Sequence, residues 1–100
     1  MDYRVTWTPQ AKADLKSIGD YIARDSKVYA SNFVKKLRQA ARALRYFPKR
    51  GRVVPEYEDP EVRQILLRKY RIIYRVKESS VEIVRIIHGA RDLKTAMESQ

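Results

Sequence analysis

The chain has 100 residues, with 22 Lys and Arg against 12 Asp and Glu, one histidine and no cysteine. This length suits a single domain spanning residues 1 to 100. The missing cysteines exclude disulfides, and with one histidine no metal or cofactor is expected. The net charge of +10 favours a nucleic acid or an acidic protein as partner. No apolar run at the N-terminus has signal-peptide or membrane-spanning length, so we predict a cytoplasmic protein without membrane contact.

The first half of the chain predicts a strand followed by two helices. Residues 3 to 8, YRVTWT, alternate and are rich in β-branched and aromatic residues, which is typical of a short strand. Thr8 can cap a helix over residues 9 to 24. Ser26 can cap a second helix, whose apolar positions share one face until Pro48. Two helices joined by so few residues should pack as an antiparallel hairpin.

The second half predicts a loop and three strands. Residues 48 to 61 hold three of the four prolines, which is typical of an ordered loop. Three apolar runs follow, VRQILL, YRIIYRV and VEIVRIIH, and indicate an antiparallel meander. The whole order predicts an α+β domain, β-α-α-β-β-β, with a small, mostly antiparallel sheet. The helical hairpin covers one face and leaves the other available for binding. The tail from Arg91 either forms a short helix or frays.

The turn between the last two strands predicts which residues share a face. A two-residue turn after Lys77 would pair Arg75 with Glu82 and Arg71 with Ile86. Alternation then gives an open face with Arg71, Arg75, Glu82 and His88. The helix-covered face would carry Tyr70, Ile72, Tyr74, Val81, Ile83, Arg85 and Ile87. A slip of one residue would exchange the two faces.

Basic residues are concentrated in one part of the chain. Residues 26 to 55 contain nine Lys or Arg and no Asp or Glu. A solvated helix face usually mixes both signs, so this segment favours a binding surface. Arg75 and Glu82 are interpreted as a cross-strand pair. Arg85, if it faces the helices, requires a carboxylate or phenol partner, although at a strand end it can still reach the edge of a cleft.

Four motifs carry a family resemblance over nearly the whole chain: GRVVPE, VR, YRIIYRV and VEIVRIIHGARDL, beginning at residues 51, 62, 70 and 81. Their order and spacing resemble the RelE/ParE superfamily of toxins from bacterial type II toxin-antitoxin systems. The resemblance implies two alternatives. RelE-like members cleave mRNA, usually in the ribosomal A site, whereas ParE-like members inhibit DNA gyrase without an established catalytic centre. Both are neutralised by an antitoxin whose extended, acidic or amphipathic segment wraps the toxin.

Within the ribonuclease alternative, the chain is similar to the YoeB-like subgroup, which uses a Glu, an Arg and a His. Glu56 and His88 match the Glu and the His. Arg63 is the approximate match to the Arg, and Arg71 competes with it. The resemblance implies that Glu56 deprotonates the 2'-hydroxyl and His88 protonates the leaving 5'-oxygen, because histidine can exchange a proton near neutral pH.

Further basic residues are candidates for holding the RNA. The candidate phosphate clamps are Arg63, Arg85 and Arg91, since arginine can bind phosphate with two parallel hydrogen bonds. The candidate backbone contacts are Lys49, Arg50, Arg52 and Arg71. We therefore predict a metal-independent, ribosome-dependent endoribonuclease that inhibits translation, with a gyrase inhibitor as the alternative.

Each candidate also has a simpler interpretation. Glu56 lies in an acidic loop, where a carboxylate is most often solvated, and His88 can merely end a strand. The HGAR sequence at the end of the last strand also occurs in gyrase-directed relatives, so His88 does not distinguish the two alternatives. A basic RNA-binding module without toxicity is a third reading, but it leaves the resemblance unexplained.

Overall fold

The computed structural model describes residues 2 to 89. The elements are β1 (Arg4–Trp7), α1 (Pro9–Ala23), α2 (Lys27–Ala43), β2 (Arg52–Val53), β3 (Val62–Leu67), β4 (Tyr70–Val76) and β5 (Ser80–His88). This order confirms the α+β prediction and adds one short strand, β2, inside the proline-rich loop. The helix or frayed tail expected from Arg91 onward lies outside the described residues.

Both predicted helix caps are present. The Thr8 Oγ1 accepts the Ala11 N–H at 3.0 Å, and Pro9 occupies the first turn of α1. The Ser26 Oγ accepts the Tyr29 N–H at 3.1 Å. Each bond satisfies a donor that has no partner within its helix, so both helices begin where the sequence predicts.

α2 ends at Ala43, earlier than the end predicted just before Pro48. The N–H groups of Leu44, Arg45 and Tyr46 each bond to the carbonyl three residues back, at 3.1, 3.1 and 3.2 Å. That spacing belongs to tighter turns, which continue the apolar pattern without continuing the α-helix. Within residues 2 to 89, neither helix has the length and apolar character needed to cross a bilayer.

The five strands form one mixed sheet in the order β1-β5-β4-β3-β2. β1 pairs with β5 in parallel, and the other neighbours are antiparallel. The predicted sheet, mostly antiparallel and covered by a helical hairpin, is therefore confirmed. The main core lies between the hairpin and the sheet and includes Leu15, Ile18, Phe33, Leu37, Ile72, Tyr74, Val81 and Ile83.

The second face of the sheet is partly covered. Val54, from the loop after β2, is fully buried and packs with Val62, Ile73 and Ile87 in a smaller apolar cluster. Tyr57 packs against the same cluster. The sequence predicted an open second face, but an apolar residue within the loop draws the chain onto it.

The β4–β5 hairpin has the predicted register only near its turn. Arg75 lies opposite Glu82, as expected. Between Ile73 and Tyr74 the register shifts, so that β5 carries one extra residue, Val84, against β4. Such a bulge reverses the alternation of faces beyond it.

The bulge overturns three predictions about the end of β5. Arg71 lies opposite Ile87 rather than Ile86. Ile87 packs in the cluster on the second face instead of facing the helices. His88 lies opposite Tyr70, and directly opposed residues share a face, so His88 is on the helix side rather than beside Arg71.

The predicted cross-strand pair of Arg75 and Glu82 does not form an ion pair. The Arg75 Nη1 donates to the Asp59 Oδ2 at 2.7 Å, while the Lys77 Nζ lies 3.5 Å from the Glu82 Oε1. Both contacts are partly exposed and contribute little to stability.

Candidate functional site

A groove of about 430 Å³ lies where the loop after β2 approaches the ends of β3, β4 and β5. Its walls include three acid–base or phosphate candidates from the sequence, Glu56, Arg71 and His88. The cations lining it are Arg52, Arg68, Lys69 and Arg71. The groove therefore combines a carboxylate, an imidazole and several positive charges, which suits the chemistry of a phosphodiester.

The Glu56–Arg71 pair forms the floor of this groove. The Arg71 Nη1 and Nη2 donate to the two carboxylate oxygens of Glu56, each at 2.9 Å. The Arg71 Nε donates to the Gln64 Oε1 at 2.8 Å. The side chains of Arg71 and Glu56 are only 8% and 20% exposed, so this is a largely desolvated pair with two parallel bonds, the strong geometry for arginine and carboxylate.

The loop after β2 brings Glu56 to Arg71. Val54 anchors the loop in the second-face cluster, and its N–H donates to the Val62 carbonyl at 3.0 Å. The Tyr57 N–H then donates back to the Val54 carbonyl at 3.2 Å, closing a turn around Glu56. The acidic loop is thus an ordered support, and its carboxylate at position 56 is directed at the sheet rather than solvated.

His88 is the last residue of β5 and lies at the end of the groove. Its ring meets the Tyr70 ring edge-on, with centroids 5.8 Å apart. The Gly89 N–H donates to the Lys69 carbonyl at 2.6 Å, which closes the ends of β4 and β5. A Cβ on Gly89 would lie 3.2 Å from that carbonyl oxygen, so the close approach favours glycine after the histidine.

Arg63 lies away from Glu56. Arg63 belongs to β3 and lies opposite Tyr74 of β4, so it is on the helix side of the sheet. The Arg63 Nη1 donates to the Gly51 carbonyl at 2.8 Å and to the Lys49 carbonyl at 3.4 Å. The structure brings Arg71, and not Arg63, to the carboxylate.

Arg85 forms an ion pair with a residue of α1. It is buried, and its Nε and Nη2 donate to the two carboxylate oxygens of Asp14 in α1, at 2.7 and 3.0 Å. The hydrogen bond to Asp14 raises the pKa of Arg85 above its ordinary value. The carboxylate that an inward Arg85 requires is therefore Asp14.

Two polar partners were missed by the sequence reasoning, although each had a signal. Asp14 lies three residues after Ala11 and four before Ile18, within the apolar stripe of α1. Gln64 is a buried polar residue of β3. A polar residue at a buried position calls for a buried partner.

Of the remaining candidates that the structure describes, one lines the groove. Arg52 lines it, whereas Lys49 and Arg50 belong to the exposed turn before β2 and do not. Arg91 lies outside the described residues.

A comparison with protein families identifies the chain. The model for the ParE toxin of the type II toxin-antitoxin system parDE matches residues 5 to 93. The chain belongs to the RelE/ParE superfamily of toxins. This toxin is 38% identical over 89 residues to Toxin RelE2 of Caulobacter vibrioides, a match that covers 88% of this chain and 97% of the relative.

Solved structures of toxin-antitoxin systems are also similar to this toxin. The chromosomal ParDE system from P. aeruginosa contains a chain that is 28% identical, with a TM-score of 0.72 over 86% of this toxin and 95% of that chain. The RelBE2 toxin-antitoxin complex from Mycobacterium tuberculosis contains one that is 23% identical, with a TM-score of 0.66 over 91% and 95%. The second shares the fold, and the relatives include both RelE and ParE names.

Proposed function

We propose that this toxin is an endoribonuclease that cuts mRNA on the ribosome without a metal ion and so inhibits translation. The observation that supports the proposal is the groove that Glu56, Arg71 and His88 all line, together with exposed cations. A 2'-hydroxyl can attack the adjacent phosphate when a base removes its proton and an acid protonates the leaving 5'-oxygen. The groove has one residue for each role, and cations for the charge that develops on the phosphate.

Arg71 has two parts in this proposal. Its two bonds to Glu56 fix the orientation of the carboxylate, and its Nε bond to Gln64 fixes the guanidinium itself. Holding the base in one orientation lowers the entropic cost of aligning it with the hydroxyl proton. Arg71 also lines the groove together with Arg52 and Lys69, and these positive charges support phosphate binding there.

Cleavage of ribosome-bound mRNA tests this function. Purified toxin should cut the mRNA of translating ribosomes at defined codon positions. We expect Glu56→Gln and His88→Ala each to slow cleavage by about 10²- to 10⁴-fold, the usual contribution of a general acid or base. Glu58→Gln is the matched control, because Glu58 is an exposed carboxylate of the same loop and should cut at the wild-type rate. Unfolding curves check that all variants are folded.

Inhibition of DNA gyrase is the second candidate. It is favoured by the match to the ParE family model and by the 28% identity to a ParDE chain. It predicts that Glu56→Gln and His88→Ala still arrest growth, and that purified toxin blocks DNA supercoiling by gyrase. Intact mRNA together with gyrase–DNA adducts in arrested cells would reject the ribonuclease.

We further propose that a cognate antitoxin binds a second groove, beside β1. A groove of about 970 Å³ runs between β1 and the helical hairpin, with an apolar floor that includes Trp7, Leu15 and Val34. Its cations are Lys12, Lys16, Arg38 and Arg42. An acidic amphipathic segment fits such a groove, because its apolar side matches the floor and its charges match the rim.

A further inference from the structure

A row of aromatic rings connects the start of α2 to His88. The Tyr29 ring stacks on Phe33, with centroids 6.2 Å apart and planes within 9° of parallel. Phe33 meets Tyr70 at 5.6 Å, and Tyr70 meets His88 at 5.8 Å. Phe33 is buried, whereas Tyr29 is 48% exposed and His88 is also exposed. The row therefore has a buried centre and surface rings on both sides of it.

Tyr21 of α1 is a further exposed ring near Tyr70. The Tyr21 side chain is 64% exposed. The pKa of the Tyr70 hydroxyl is raised mainly by burial and further by the neighbouring Tyr21. The Arg24 guanidinium lies 5.6 Å from the centre of the Tyr21 ring. We use the name aromatic row for Tyr21, Tyr29, Tyr70 and His88, supported by Phe33.

The aromatic row ends at the cationic groove. One end is His88, which also lines the cationic groove with Arg68 and Lys69. Proteins that hold single-stranded nucleic acid combine a cationic track for the backbone with aromatic side chains on which successive bases stack. Unpaired RNA bases are recognised in the same way. The cationic groove and the aromatic row meet at His88 in this arrangement.

We propose that the aromatic row is a stacking subsite for unpaired RNA bases next to the phosphate held in the groove. The inference rests on the proposed ribonuclease function and extends its substrate site onto the helical hairpin. A nucleic acid suits the surface better than a protein does. The rings are tyrosine and histidine with polar edges, a guanidinium lies over one of them, and the molecule carries a net charge of +10.

Binding of a fluorescent RNA tests the subsite. The probe is a single-stranded oligoribonucleotide with 2'-O-methyl groups, which cannot be cleaved, and with 2-aminopurine at one position in each of a series. The fluorescence of 2-aminopurine falls when it stacks on a ring, so the full-length toxin should quench some positions and not others. We expect Tyr21→Leu and Tyr29→Leu each to weaken binding about 5- to 150-fold, the usual effect of losing one stacked base, and to relieve the quenching.

Two controls separate stacking from other effects. Tyr21→Phe and Tyr29→Phe keep the ring and should keep the wild-type affinity. Tyr46→Leu removes a tyrosine that is equally prominent, 56% exposed and with the Arg45 guanidinium 5.3 Å from its ring, but placed beyond the other end of α2. It should bind the probe like the wild type.

The outcomes distinguish failure of the subsite from failure of the enzyme. If both leucine variants bind as tightly as Tyr46→Leu, the subsite is wrong, even where mRNA is still cut. If they keep RNA affinity but lose binding to antitoxin or gyrase, the row serves a protein, and the proposal is again overturned. If binding depends on the rings but ribosome-bound mRNA stays intact, the subsite stands and the proposed cleavage falls.

Discussion

At the scale of single residues, Tyr74 shows how a buried hydroxyl organises the turn before the groove. Its oxygen accepts the Gly51 N–H at 3.0 Å, and its side chain is fully buried. A Cβ on Gly51 would lie 2.5 Å from that hydroxyl and from the Gln64 carbonyl oxygen. Gly51 is required because of this close approach.

Tyr74→Phe should destabilise the toxin in a pH-dependent way. At neutral pH it leaves the buried Gly51 N–H unpaired, which costs about 1 to 3 kcal/mol. Burial raises the pKa of Tyr74 in the folded toxin, whereas an unfolded tyrosine ionises near pH 10. The contribution of Tyr74 is therefore fully present below about pH 10 and is lost as the pH rises further.

Urea unfolding at pH 7 and at several values from pH 9 to 11 measures this effect. The stability of the wild type should fall more steeply than that of Tyr74→Phe above pH 10, so the two curves converge. Tyr46→Phe, at an exposed position, is the control and should follow the wild type. Parallel curves for Tyr74→Phe and the wild type would show that Tyr74 does not titrate differently on folding.

At the scale of elements, the Asp14–Arg85 pair ties α1 to the bulged part of β5. Asp14 accepts two N–H groups from Arg85 and a third from the Ile86 backbone, at 2.7, 3.0 and 2.9 Å. The Thr8 Oγ1 also donates to the Val84 carbonyl at 2.8 Å. The start of the helix therefore holds the backbone at the bulge through two separate side chains.

Asp14→Asn should destabilise the toxin by about 3 to 5 kcal/mol, because it leaves a buried guanidinium without its counter-charge. The double variant Asp14→Leu/Arg85→Met removes both charges and should recover much of that loss. Lys16→Met breaks an exposed pair with Asp20 in the same helix and serves as the control. Equal urea midpoints for Asp14→Asn and Lys16→Met would mean that the buried pair adds nothing.

The sequence allowed prediction of the elements that have local signals. Caps at Thr8 and Ser26 fixed both helix starts, and the last three apolar runs matched β3, β4 and β5. The bulge at Val84 could not be predicted, because residues 83 to 87 are apolar on both faces apart from Arg85 and give no preferred alternation. Its effect on the site was large, since it decided on which face His88 lies.

The residues that line the groove were easier to name from the sequence than their arrangement was. The resemblance named Glu56, His88 and Arg63, with Arg71 as the competitor of Arg63, and the groove is lined by Glu56, His88 and Arg71. The preference for Arg63 over Arg71 depended on motif spacing. The arginine that reaches Glu56 is instead determined by which face of the sheet each strand residue occupies. Tertiary folding of the loop around Val54 set the position of Glu56, and no local pattern encodes that contact.

At the scale of the whole molecule, positive charge borders both grooves. The groove beside His88 and the groove beside β1 each have at least three Lys or Arg in their walls. RNA and an acidic antitoxin segment would therefore both be attracted over a distance of about one Debye length, roughly 8 Å at physiological salt. Contacts within each groove must then distinguish the two partners.

Charge reversal on the rim tests where the antitoxin binds. We expect Arg38→Glu and Arg42→Glu each to weaken cognate antitoxin binding by about tenfold or more, mainly through slower association at low salt. Lys36→Glu changes the same charge at an exposed position of α2 that does not line the groove, and it should have a smaller effect. Surface plasmon resonance at two salt concentrations gives both rates. Equal losses for all three variants would place the antitoxin elsewhere.

The parallel pairing of β1 with β5 also constrains when this toxin can become active. Arg4 lies opposite Ser80, so the first strand has no partner until almost the whole described chain has been synthesised and has left the ribosome exit tunnel. Contacts between such distant segments form late in folding. His88, at the end of β5, is synthesised later still, and it lines the groove with Glu56 and Arg71. If the toxin cuts mRNA as proposed, a nascent chain would therefore lack the complete groove for as long as β5 is still being synthesised.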